Sequence, residues 1–201
     1  MIHNHIDLGT VLRGAVCSLY SNLVTRPTGA AVRGEIERAV AEVGARSVTV
    51  VDFSQVTLLD YSCADEIVAK LMLRGGVLST SDDTAEGYFV FRGLAEHHLD
   101  AVEAVLERHR LAIVALFGDE PALVGEVSSD ERAVWELLRA LGGADAVGLA
   151  AASGIDAEEA AAVLAELAAR RLVLCVEGRY TALGGTLPPL PGAPGAPGAA
   201  A

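Results

Sequence analysis

The chain is short of lysine, short of cysteine and without a long apolar run. Lysine occurs once, at Lys70, so nearly every positive charge is an arginine; this reads as coding bias before function. The three cysteines, Cys17, Cys63 and Cys175, are odd in number and far apart. They exclude a disulfide framework and a thiolate metal site, and read as buried free thiols. No stretch approaches the roughly 18 apolar residues of a membrane span. The opening MIHNHIDLG lacks a basic segment followed by an apolar one, so it does not read as a secretory signal. A cytoplasmic protein is expected. No glycine-rich phosphate loop follows a strand, and neither a nucleophile elbow nor zinc-ligand spacing occurs. No enzyme activity, cofactor or metal is therefore expected.

Positive charge is scarce overall. The formal net charge is −12. Residues 1–118 carry fifteen acidic and ten basic side chains, for −5, and residues 119–201 carry twelve and five, for −7. Neither part suits nucleic acid or an anionic membrane surface.

What is present is a chain of 201 residues, 52% hydrophobic, enough for one or two small domains with a buried core. Its organising stretch is Ser47–Arg74. Val48–Phe53 is an apolar, β-branched run that predicts a buried strand. Asp60–Tyr61–Ser62 leads into a helix with Ile67, Val68, Leu71 and Met72 on one face and Asp65, Glu66, Lys70 and Arg74 on the other.

Before it, Ile6–Leu12 reads as a strand, Gly14–Tyr20 as a short helix or lead-in, and Asn22–Thr25 as a strand ended by Pro27. A helix over 29–43 is predicted, capped by Thr28 and closed by Gly44. After it, Gly75–Gly76 ends the helix and Ser79–Gly87 is an acidic loop. Tyr88–Phe91 is a strand, Ala95–His109 a helix and Ala112–Phe117 a strand. This alternation predicts an α/β domain over 1–118, a small sheet with packed helices.

Residues 119–127 read as a linker or short strand. Ser128 with Glu131, and Asp156 with Glu159, make capping patterns before helices. Asp145–Ala152 is a further short helix. Leu172–Val176 and Arg179–Leu183 read as a hairpin. Three helices and a hairpin over 128–184 outline a winged helix-turn-helix. Residues 185–201 are a Pro/Gly/Ala tail, expected to be disordered.

The segment Thr25–Leu71 resembles the STAS and STAS-like family, the fold of the anti-sigma-factor antagonists. The residues that carry the resemblance are Val50-Val51-Asp52-Phe53-Ser54-Gln55-Val56, Leu59-Asp60-Tyr61-Ser62 and Ala64-Asp65-Glu66-Ile67. The strand–helix alternation out to Phe117 extends it. Cys63 stands where the antagonists carry glycine, and Cys63-Ala64-Asp65-Glu66 is nearer the STAS-like version. The resemblance implies a non-catalytic partner-switching module. It places a phosphorylated serine at Ser62 and a contact surface at Asp60, Tyr61, Ser62, Asp65 and Glu66. The partner it implies is a kinase-like anti-sigma factor or a sigma-type regulator; a homodimer is a further alternative. A helix N-terminus favours the anion that phosphorylation would add, whereas Asp60, Asp65 and Glu66 oppose it. The alternative reading is that Ser62 is the N-cap with Asp65 as its capping-box partner.

The 128–184 region resembles winged-helix domains, whose common use is to place the third helix in the DNA major groove. Here that helix carries Glu158, Glu159 and Glu166 and no base until Arg170 and Arg171, and only Arg179 of the hairpin could reach a phosphate. A protein-binding or dimerising use is expected instead. His97 and His98, adjacent on a helix, are poor joint ligands and read as surface residues. His3 and His5 fall in a mobile terminus. Asp52 reads as the cap of the Ser54–Gln55 turn, and Trp135 as an anchor to the α/β domain, to a partner or to the local core. The expected function is protein-partner binding in signalling or scaffolding. The alternatives are a DNA-binding regulator and a structural assembly subunit.

Overall fold

The computed structural model describes residues 2–15, 21–43, 46–74 and 87–185. Cys17, Gly44, Gly75–Gly76, most of the Ser79–Gly87 loop and the tail from residue 186 lie outside the described residues.

The chain forms an α/β fold. In order it runs β1 (Ile2–Asp7), α1 (Leu8–Ala15), β2 (Asn22–Leu23), α2 (Arg26–Val43), β3 (Ser47–Asp52), β4 (Leu58–Leu59) and α3 (Tyr61–Ala64). A π-helical turn (Asp65–Ala69) continues α3 into α4 (Lys70–Arg74). β5 (Gly87–Arg92), α5 (Glu96–His109), β6 (Ala112–Phe117) and β7 (Glu120–Gly125) follow. The last elements are α6 (Ser129–Ala140), α7 (Ala146–Ser153), α8 (Ala157–Ala169), β8 (Val173–Val176) and β9 (Arg179–Ala182).

The main sheet has the order β1-β3-β5-β6-β7. The first four strands are parallel and β7 runs antiparallel at the edge. Both faces are covered, which is why β5 and β6 read as near-continuous apolar runs rather than alternating ones, and why Ser47 and Thr49 of β3 are buried too. Val51, Phe89, Phe91, Ile113 and Ala115 meet α1, α2, the Tyr61–Arg74 helix and α5 in one core. Val48, Tyr88, Val90, Val114, Leu116 and Leu123 meet α6, α7, α8 and the β8–β9 hairpin in a second. The two cores share the sheet, and residues 128–184 pack directly on its second face. Within 119–127, β7 is a full strand of that sheet.

Several local expectations are corrected. The first strand is Ile2–Asp7 and not Ile6–Leu12, and Leu8–Ala15 is helical. Asp7 makes that turn: its carboxylate accepts from the Gly9 N–H (2.9 Å) and the Thr10 hydroxyl (2.9 Å). His5 is not mobile but sits in β1, where its Nε2 lies 3.2 Å from Asp52 Oδ2. Helix α2 begins at Arg26, earlier than predicted, because Pro27 lacks an N–H and is accommodated in a first turn. Ser128 and Glu131 do form a reciprocal capping box. Asp145 and Asp156 cap α7 and α8, Asp156 by accepting from the Glu158 N–H. The hairpin turn Glu177–Gly178 has φ of 50° and 78°, the doubly left-handed pattern of a tight two-residue hairpin loop.

Trp135 belongs to the local core. It is fully buried, and its Nε1 donates to the Leu172 carbonyl at 3.0 Å. That bond ties α6 to the chain entering β8.

Candidate functional site

The loop after β3 is fastened at both ends before it reaches α3. Asp52 Oδ1 accepts from the Ser54 N–H at 2.8 Å, as expected for a strand-end cap. Burial alone would push the Asp52 carboxyl up, but hydrogen bonds from Ser54 and His5 outweigh it and hold the group below its ordinary value. Thr57 then accepts on its carbonyl from His97 Nε2 at 2.9 Å, and the Asp60 N–H donates to the Leu23 carbonyl at 2.8 Å.

Helix α3 is capped by Asp60 and not by Ser62. Asp60 Oδ1 accepts from the Cys63 N–H at 2.8 Å. The Ser62 hydroxyl donates back to Asp60, at 2.9 Å to Oδ1 and 3.1 Å to Oδ2. Ser62 is thus a half-buried first-turn residue, and Asp65 does not complete a capping box. Cys63 is fully buried, with its thiol donating to the Thr25 carbonyl at 3.0 Å. Burial first, and Asp60 second, push that thiol up to about 11, so it is no nucleophile at neutral pH.

Asp65 and Glu66 are not on a solvent face. Every residue from Cys63 to Ala69 is buried, Asp65 to 7% and Glu66 to 3% exposure. A π-helical turn carries one extra residue, which shifts the helical phase, and the turn is enclosed by α2 and α5. Helix α2 supplies compensating arginines and α5 a histidine hydrogen bond. Arg26 Nη1 donates to Asp65 Oδ2 and to Glu66 Oε1, each at 2.8 Å. Arg33 Nη2 reaches Glu66 Oε2 at 3.5 Å, and Lys70 donates to Glu66 Oε1. His109 Nε2 lies 2.8 Å from Asp65 Oδ1. Burial opposes ionisation of both carboxyls. Hydrogen bonds to Asp65 from Arg26 and His109, and to Glu66 from Lys70 and Arg26, overcome it and hold both below the ordinary range. Gly29 makes the close approach possible, since a Cβ there would lie 3.0 Å from both Cys63 Cα and Glu66 Cβ.

The five residues expected at the contact surface are therefore divided. Asp65 and Glu66 form an internal ion-pair network, while Asp60 and Ser62 are half-buried on one another. Tyr61 projects outward, 36% exposed, with its hydroxyl accepting from Arg108 Nη1 at 3.1 Å. Exposed Leu58 precedes it, and Arg26 keeps half of its side chain in solvent. Arg26, Arg33, Arg108 and His109 were not singled out from the sequence. Only the i,i+4 pair Glu66–Lys70 carried a local signal; the others come from elements remote in sequence.

His98 is a correction. It is buried, packs against Phe53 and accepts on Nδ1 from the Ala95 N–H at 3.2 Å. Burial, then the neighbouring His97, lower its pKa, so it is neutral in the fold. Neither His97 nor His98 reaches Asp65; His109 does. Among the described residues no group of His, Cys, Asp and Glu could hold a metal ion, and no helix is long and apolar enough to cross a membrane. No family model matches the chain, and no curated protein is similar enough to match it.

Proposed function

We propose that the chain is a non-catalytic, cytoplasmic protein-binding module for signalling or scaffolding, with the start of α3 as its contact surface. The observation that carries this reading is the outward Tyr61, held by Arg108 beside exposed Leu58 and half-exposed Arg26. With Asp65 and Glu66 turned inward, this surface is aromatic, apolar and cationic. Tyrosine and arginine are the residues enriched where binding energy concentrates. The surface is also held in place by the Asp60 cap and the buried ion pairs, which lowers the ordering cost of binding. The STAS resemblance supports a partner-switch cycle with a kinase-like anti-sigma factor or a sigma-type regulator. In that cycle Ser62 would take the phosphate and expel the partner through charge.

The order α6–α7–α8–hairpin and the bridge between Ala144 and Tyr180 support a winged-helix reading of residues 128–184. They also keep a DNA-binding regulator as the alternative. Against DNA, α8 exposes Glu158, Glu159 and Glu166. Arg170 is paired with Glu131, and Arg179 donates to the Gly143 carbonyl at 2.6 Å. Specific duplex binders neutralise several phosphates, so we assign this region to protein contact.

The test is affinity capture from native lysate, with and without nuclease treatment, with wild type, Tyr61→Ala and Ser62→Asp as baits. A kinase-like or sigma-type protein held by wild type and lost from both variants supports the reading. A partner lost with Tyr61→Ala but kept by Ser62→Asp retains the surface and removes the switch. Identical partners for all three baits overturn the proposed surface, and recovery that requires intact DNA favours the alternative.

A further inference from the structure

The four parallel strands run the same way, so their carboxyl ends lie together at one end of the sheet, where the loops after them can leave a crevice. Such a crevice lies where β5 ends at Arg92 and β6 ends at Phe117. It has a volume of about 360 Å³ and is lined by Ser54, Arg92, Leu94, Leu116 and Phe117, with a glycine following each strand. That is within the roughly 300–1,000 Å³ of small-ligand pockets, which combine mostly apolar walls with a few converging polar groups.

Arg92 sets this crevice apart. In an acidic chain, Arg13, Arg26, Arg33, Arg38, Arg74, Arg139 and Arg170 all pair with carboxylates. The Arg92 guanidinium makes no hydrogen bond or ion pair among the described residues. Asp52 senses its charge, yet both Asp52 oxygens are engaged elsewhere, Oδ1 by the Ser54 N–H and Oδ2 by His5. Five guanidinium donors are thus left for a planar, bidentate acceptor. The crevice is also lined by Leu94 and Leu116, almost fully buried, and by Phe117, 42% exposed. Gly93, at φ 69°, packs its backbone on Ser54, where a Cβ would come within 2.3 Å of the hydroxyl oxygen. Around Gly118 nothing lies within 4 Å of a built Cβ, so the crevice opens there.

We propose that this crevice binds a small organic monocarboxylate with an apolar body. The carboxylate seats on Arg92 and the body on Leu94, Leu116 and Phe117. A phosphate would use the guanidinium but leave the apolar wall unused; a neutral apolar amide would do the reverse.

The experiment is a titration of the full chain by NMR and calorimetry with benzoate, benzamide and inorganic phosphate, on wild type, Arg92→Gln, Arg92→Lys and Phe117→Ala. Thermal melts confirm that each variant folds. Saturable benzoate binding is expected at millimolar concentration or tighter. It should weaken at least tenfold in Arg92→Gln, less in Arg92→Lys and measurably in Phe117→Ala, with benzamide and phosphate binding more weakly than benzoate. The proposal is overturned by absent benzoate binding, by equal binding to folded Arg92→Gln, or by phosphate or benzamide binding as well as benzoate.

Discussion

His109 Nε2 stands 2.8 Å from Asp65 Oδ1, joining the last turn of α5 to a π-helical turn more than forty positions earlier in the chain. With Arg26 on the other oxygen, Asp65 is clasped from two helices. Glu66 beside it is clasped by Arg26, Arg33 and Lys70. The acidic pair thereby holds α2 and α5 against the helix that the candidate surface is built on.

Removing Glu66 strands its cations more than it removes an attraction. Arg33 and Glu66 are both largely out of solvent, and breaking a buried pair from one side costs about 3 kcal/mol or more. Glu66→Ala is expected to lower the unfolding free energy, measured by urea titration, by that amount, and the midpoint with it. An unchanged midpoint would show that the network adds nothing to stability.

The same pair makes stability depend on acid. Asp65 and Glu66 are held below the ordinary carboxylate range in the fold, so the unfolded chain takes up protons first. Stability from this source is present above the unfolded values of about 4. It is lost as pH falls through the lower folded values. Unfolding free energy measured from pH 6 down to about pH 2 should fall less steeply in Glu66→Gln than in wild type. Parallel curves would exclude the pair as the source.

Trp135 fills the second core and donates to the Leu172 carbonyl. Trp135→Phe removes the donor and some volume, leaving that carbonyl without its partner. A loss of about 1–3 kcal/mol is expected, followed by circular dichroism because the chain's one tryptophan is gone. No loss would mean that water replaces the bond.

Elements ruled by neighbouring residues were legible. Ala112–Phe117 is a strand at the predicted residues, since an unbroken apolar run of that length fits only a buried strand there. The Ser128–Glu131 capping box and the Glu177–Gly178 hairpin turn follow from side chains three residues apart or less. Leu8–Leu12 reads as strand because its apolar spacing also suits one, whereas the turn into the helix depends on the Asp7 side chain. The inward turn of Asp65 and Glu66 was not legible at all. By helical periodicity both belong to the solvent face, and only a π-helical phase shift together with arginines 26 and 33 and a hydrogen bond from His109 makes their burial affordable.

The sequence by itself determined the strand and helix alternation, the caps and the shortage of positive charge, because each is set by local sterics, hydrogen bonding and composition. Tertiary structure alone decided that the two apolar cores share one sheet, that Tyr61 faces outward while Asp65 and Glu66 face in, and that the Arg92 guanidinium makes no hydrogen bond or ion pair among the described residues. Those outcomes depend on which remote groups arrive within a few ångströms of one another, and no local rule encodes that.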